Sequence, residues 1–308
     1  MSSGRPARTI LVAIMTVLVL GLNWPIMAIG VRSIPPLWFG VLRLGGSGLL
    51  LAGLLAYRGR LTLPSRADLP IVLSVALPRL AVSQGLVFTA LTFVASGRAS
   101  VLVYTSALWA APLSVWFLRE RLGRRSVGAV LVGTLGVIVL MEPWSTGGSR
   151  PLLGAGLLLI AALMNSLGAI HIRGHRWQGD QIDLMAWQLL LAGATLVPAA
   201  LIVHGLPRIS LTPAVAANIA YQVLAASLLG LWGTVTLARR LTAVTTAMVS
   251  LATPVVGVIS SAILLGESIG AVVLLGMALV LGGVITRIRD TGTRPIAGGA
   301  RARDVADG

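Results

Sequence analysis

Thr105-Ser106-Ala107-Leu108 opens a stretch that closes on Leu118-Arg119-Glu120-Arg121-Leu122-Gly123. The pattern returns 147 residues later as Ala252-Thr253-Pro254-Val255, closing on Leu265-Gly266-Glu267-Ser268-Ile269-Gly270. Glu120 aligns with Glu267, Gly123 with Gly270 and Gly136 with Gly283. Each copy lies in the fourth of five long apolar segments, so the second five segments repeat the first five. An odd number of spans per repeat inserts the two halves in opposite orientations. The pattern predicts an all-α integral membrane protein: ten transmembrane helices as two inverted five-helix repeats around a central cavity. That is the architecture of a secondary transporter, with the substrate held between the halves near mid-bilayer.

Composition agrees. The chain is 56% hydrophobic and 11% charged, where a soluble domain carries about 25% charged residues. A span needs about 20 apolar residues. The segments fall at 9–31, 36–57, 69–94, 97–118, 123–143, 152–173, 184–204, 214–238, 242–265 and 269–288. Nothing remains for a soluble domain. The chain 1–308 reads as one membrane domain, with a first repeat over 9–143, a second over 152–288 and a disordered cytoplasmic tail over 289–308. Residues 9–31 are too long for the apolar core of a cleavable leader and read as the first span.

The net charge of +15 comes from arginine alone. With a cytoplasmic N-terminus, 18 arginines fall on the inner side and four, Arg32, Arg98, Arg150 and Arg208, on the outer side. This bias places both termini inside and explains the basic charge as topology rather than nucleic-acid binding. Two readings of the tail arginines stand: contact with anionic lipid headgroups, and a solvated tail with no role. With zero cysteines, disulfides, thiolate metal sites and cysteine nucleophiles are excluded. No cofactor or metal is expected.

All nine acids lie at segment ends, in loops or in the tail, so no carboxylate sits at mid-membrane. Two arginines do lie within spans: Arg43 in the second and Arg79, after Pro78, in the third. A central arginine costs about 2.5–3.5 kcal/mol on insertion scales, so it needs a partner. An anionic substrate group is one partner. Carbonyls freed by proline, or snorkelling to the interface, are the other. Asn23 and Asn165 recur at similar depth in the first helix of each repeat. Trp24 and Trp109 are mid-span, Trp232 lies deeper than an interfacial belt requires, and Tyr104 shares a helix with Trp109. Trp38, Trp116, Trp144 and Trp177 fit the belt. Pro25, Pro78, Pro112 and Pro254 lie well inside helices, where each frees a carbonyl; they are the candidate hinges. Dense glycines in the fifth and tenth helices, Gly133, Gly136, Gly276 and Gly283 among them, read as close helix packing.

Taken together, Asn23-Trp24-Pro25 in the first helix, Arg43 in the second, and two helices closing on Glu120 and Glu267 resemble the drug/metabolite transporter superfamily, EamA-type. The likeness is strongest to YddG-type bacterial amino acid exporters, some of whose substrates are aromatic. The resemblance covers residues 9–288. It implies a bacterial inner-membrane protein with the fifth and tenth helices peripheral. It also implies a structural role for the two glutamates, pairing with arginine or capping the next helix. The first half departs from the family pattern, with Ala107 where proline is usual and its proline displaced to Pro112.

The candidate substrate site is therefore Asn23, Trp24, Arg43, Arg79, Tyr104, Trp109, Asn165 and Trp232. The expected activity is export of amino acids and similar small metabolites by alternating access, facilitative because no buried carboxylate is present to carry a proton. The alternatives are transport of phosphorylated or nucleotide-linked sugars and a membrane-embedded enzyme. The enzyme reading lacks any cluster of Asp, Glu, His or Ser with catalytic spacing. The partners expected are a small-molecule substrate and membrane lipids, with no nucleic acid.

Overall fold

A computed structural model of the chain describes residues 4–118, 123–142, 149–175 and 177–292. Long apolar runs in lipid satisfy their backbone groups internally, and these do so as helices. In chain order they are α1 (Gly4–Ser33), α2 (Pro36–Tyr57), α3 (Leu69–Ala90), α4 (96–118), α5 (Arg124–Met141), α6 (Ser149–Gly174), α7 (Gln181–His204), α8 (213–240), α9 (243–265) and α10 (Ala271–Gly292). Among the described residues there is no strand. Nine of these helices are long and apolar enough to cross a membrane, while the apolar part of α10, Ala271–Thr286, is shorter. The backbone of α10 continues to Gly292, four residues beyond the end expected from hydropathy. The rest of the expected tail, together with Glu120 and Trp144, lies outside the described residues.

Helix partners come from both halves of the chain. α1 packs on α9 and α8, and α6 packs on α4 and α3. α2 meets α7, α4 meets α9, and α5 meets α10. Glycine sets the closeness of the α5–α10 pair. A Cβ on Gly136 would stand 2.8 Å from the Val280 amide nitrogen, and one on Gly283 would stand 2.6 Å from the Ala129 carbonyl. The backbones touch there, and no side chain fits between them.

Three helices widen into π turns: α2 at Val41–Gly45, α3 at Val75–Val82 and α8 at Tyr221–Leu229. Such turns are rare and gather at functional sites. Pro78 gives the second its local cause, since its missing amide removes an i→i−4 bond. Both in-span arginines ride on these turns, Arg43 on the first and Arg79 on the second. The second and third recur at the repeat spacing, 147 residues from Val82 to Leu229. α4 and α9 are each broken by a single turn residue, Thr105 and Leu251. At Thr105 the break is a tight turn, with its amide and its Oγ1 both donating to the Leu102 carbonyl at 3.2 and 2.6 Å. No proline is needed, which explains how Ala107 is tolerated in the first half.

Candidate functional site

α1, α2, α3, α4, α6 and α9 enclose a chamber of about 180 Å³. Asn23, Trp24, Arg43, Tyr104 and Asn165 all line it. A second chamber of about 310 Å³ shares Leu20, Arg43 and Gln84 with the first. It runs past Arg79 and Gln188 to Trp177, between α6 and α7, and to the exposed Gln181 at the start of α7. The two form one polar route from the middle of the bundle to one of its ends. Among the described residues, none of α5 or α10 lines either chamber. A roomier groove of about 430 Å³ between α2, α3 and α7 is lined almost wholly by apolar groups and holds neither arginine nor carboxylate. The polar chambers are therefore the candidate site.

Arg43 sits at their junction, 8% exposed. Its Nη1 donates to Met27 Sδ at 3.0 Å, and its guanidinium carbon lies 5.7 Å from the centre of the Phe88 ring. Asn23 Nδ2 donates to the same sulfur at 3.4 Å. A thioether is a weak acceptor, and a ring face is a modest partner for a cation. Among the described residues no carboxylate pairs with Arg43. Its Nε has no hydrogen-bond partner, and neither has Asn23 Oδ1. The chamber thus presents an orphan donor and an orphan acceptor, held close together through their shared contact with Met27.

The neighbouring backbone is tied in place. Ser47 Oγ donates to the Arg43 carbonyl at 2.6 Å, which steadies the π turn. Ser166 Oγ donates to the Ser106 carbonyl at 2.6 Å beside the break in α4. Ser83 Oγ donates to the Ala161 carbonyl at 2.9 Å, joining α3 to α6. Trp24 is backed by Gly257, where a Cβ would stand 3.0 Å from the indole Cδ1.

Trp109 and Trp232 do not line either chamber; they are 37% and 51% exposed. On α8 the chamber face is set by Gly230, Leu231 and Thr234, and residue 232 projects elsewhere around the helix. Depth along a span does not give its azimuth. Of the four candidate hinges, Pro78 stands in a π turn and Pro254 three residues past the break in α9, whereas Pro25 and Pro112 lie in unbroken helix. Trp38 is buried and donates to the Gly205 carbonyl at 3.0 Å, so it braces α2 against α7 rather than joining an interfacial belt. Met27, which lines the smaller chamber, and Phe88, buried beside Arg43, were not expected as its partners. The signal for Met27 is its position four residues after Asn23, on the same helix face.

Glu267 caps a helix, but it is α4 rather than the next helix, α10. Its carboxylate accepts from the Ser96 amide at 2.7 Å, the Ser96 hydroxyl at 2.8 Å and the Gly97 amide at 2.9 Å. At the opposite end of the bundle Asp68 holds the segment that carries Trp177. It accepts from His175 Nε2 at 3.0 Å, from the Gln178 and Gly179 amides at 3.2 and 2.9 Å, and from Ser65 Oγ at 3.0 Å. The His175 hydrogen bond, joined by the amides, holds the Asp68 carboxyl down at about 2 against the opposing effect of burial. A depressed carboxylate stabilises the fold above its ordinary range. That contribution is lost only as pH falls from about 3.8 toward 2.

A helical bundle that spans the membrane around a polar chamber, with orphan charged and amide groups at its centre, is built to pass a small molecule, and this is a membrane transporter. The profile of the EamA-like transporter family matches residues 7–142 and again 152–288, so the chain belongs to that family, within the drug/metabolite transporter superfamily. Among curated relatives, the "Probable amino-acid metabolite efflux pump" of Salmonella typhimurium is 27% identical over 90% of this chain and 93% of its own. The protein of the same name from Escherichia coli is also 27% identical, with the same coverage. The uncharacterized inner membrane transporter YedA of Escherichia coli is 27% identical over 86% of this chain and 85% of its own. A solved crystal structure matches with a TM-score of 0.59, 97% of this chain against 99% of that one, at 16% identity, a likeness of fold alone.

Proposed function

We propose that the chain exports amino acids and similar small metabolites across a bacterial inner membrane by alternating access. The observation that carries this reading is the pair of orphan groups in the central chamber. Arg43 Nε is a cationic donor and Asn23 Oδ1 a neutral acceptor, and both are buried and unpartnered. A zwitterion supplies the complement of each: its carboxylate meets the guanidinium and its ammonium the amide oxygen. Trp24 and Tyr104 offer ring surface to an apolar or aromatic side chain, and Asn165 completes the polar lining. The two "efflux pump" relatives support the substrate class.

Two inverted five-helix repeats account for the helix contacts. Exchanging each helix for the one five places on turns the α1–α9 contact into α6–α4, and α1–α8 into α6–α3. The repeated π turns and helix breaks follow the same exchange. The excess of inner-side arginines puts both termini in the cytoplasm, so the chamber that ends at Trp177 opens inward. Because the chain has no cysteine of its own, single cysteines report this directly. A cysteine at Thr62 is expected to react with a membrane-impermeant thiol reagent only from the cytoplasmic face, and labelling from outside intact cells would overturn the orientation.

The test of function is flux of a panel of labelled amino acids in proteoliposomes. Aromatic and large apolar amino acids are expected to move, and absence of any amino acid flux would remove the reading. Transport should run down the substrate gradient. The acids that the structure describes outside α10, Asp68, Glu142, Asp180, Asp183 and Glu267, all stand at helix ends or in connecting segments. Arginine stays charged across the physiological range and does not cycle a proton. An imposed pH gradient at equal substrate concentrations is expected to drive no accumulation. Uphill uptake that a protonophore abolishes would show coupling, with His171 the first residue to replace.

A further inference from the structure

Arg79 stands apart from the chamber of Asn23 and Trp24, in the inner chamber alone. Among the described residues it has neither an ion pair nor a hydrogen bond to side chain or ring. Its aliphatic stem crosses α6 at Gly168, where a Cβ would stand 2.7 Å from Arg79 Cβ and 3.1 Å from its Cδ. Only glycine leaves this passage open, so Gly168 is what lets the stem pass α6. Gln188, on α7, lines the same chamber. It is 3% exposed, and its Nε2 has no partner. An unpaired guanidinium and an unpaired buried amide donor, with no carboxylate among the described residues that line the chamber, select an acceptor carrying negative charge. Leu189, Leu231 and Trp177 provide apolar wall for the remainder of such a molecule.

We infer that Arg79 and Gln188 form a loading subsite that takes the carboxylate of an amino acid from the cytoplasm before it passes to Arg43, with Gly168 as the positioning residue that lets Arg79 reach it. The inference rests on the amino acid export proposed above and adds a second station on the route. Arg43 lines both chambers, so a carboxylate released from Arg79 meets a second guanidinium where the chambers join.

The experiment compares right-side-out and inverted membrane vesicles carrying the full chain, with labelled phenylalanine as the probe. Arg79→Gln, Gln188→Leu and Gly168→Val are each expected to raise the half-saturating concentration about tenfold when substrate is offered at the cytoplasmic face, with the maximal rate nearly kept. At the opposite face the half-saturating concentration should not change while the maximal rate from that side falls about tenfold, as detailed balance requires of a facilitative carrier; the unchanged half-saturation reports a folded transporter. Arg79→Lys should recover part of the loss. Gly168→Val retains the arginine and its charge, so its effect separates placement of the guanidinium from charge alone. Equal shifts at both faces, or no shift at the cytoplasmic face in any of the three variants, would overturn the subsite. Wild-type vesicles that move no phenylalanine or other amino acid from either face would instead remove the export reading on which it rests.

Discussion

Replacing Arg43 with glutamine is expected to lower transport efficiency by about 10- to 150-fold, the equivalent of one lost charge-assisted contact of about 1.5–3 kcal/mol. The same change should leave the protein at least as stable as the wild type. Arg43 is 8% exposed, with a thioether and a ring face as its partners and an Nε that bonds to nothing. A buried charge held so weakly works against the fold, and replacing it with a neutral group of similar size tends to relieve strain of this kind. Opposite signs for activity and stability distinguish a substrate-binding arginine from a structural one. Arg43→Lys keeps the charge but loses the planar fork, so it should recover only part of the activity. A variant whose thermal stability falls in step with its transport would assign Arg43 to packing. Saturation with a labelled amino acid and a melting curve in detergent give both readouts on one preparation.

As lining of the candidate chamber, Arg43, Asn23 and Trp24 were legible in the sequence because polar and indole groups are conspicuous in an apolar span. The groups that touch Arg43 there were not. Met27 and Phe88 read as ordinary core, and their role follows only from the sulfur and the ring face turned toward a cation. The helical spans and their repeat were legible because the bilayer fixes their length and the duplication fixes their order. The π turns at Val41–Gly45, Val75–Val82 and Tyr221–Leu229 had no counterpart in hydropathy, since a shift from i−4 to i−5 bonding leaves the apolar pattern intact. Pro78 hinted at one of them, but the break at Thr105 arises without a proline at Ala107. Trp109 and Trp232 illustrate the remaining gap. Their depth was readable, but the face they present depends on the neighbours of α4 and α8.

Glu267 shows what such neighbours decide, and its removal carries the largest expected effect on stability. Glu267→Ala should destabilise the protein by about 2–4 kcal/mol, because two backbone amides at the start of α4 lose a charged acceptor at once. Ser96 and Gly97 amides point at this carboxylate at 2.7 and 2.9 Å, and the positive end of the α4 dipole favours it. Glu267→Gln retains one acceptor oxygen for Ser96 and should cost less. The same contact fastens α4 to α9 in the halves that the proposed orientation turns outward, where Ser96 Oγ also meets Ser261 Oγ at 2.8 Å and Ser100 Oγ donates to the Pro254 carbonyl at 3.3 Å. Under alternating access these halves must part when the chamber opens away from the cytoplasm. Loosening the cap should therefore raise the reactivity of a cysteine placed at Asn23 toward an impermeant reagent added outside. A Glu267→Ala protein with wild-type stability would show that water replaces the carboxylate at no cost. Lowered stability with unchanged outside reactivity at position 23 would leave Glu267 a helix cap and no part of the gate.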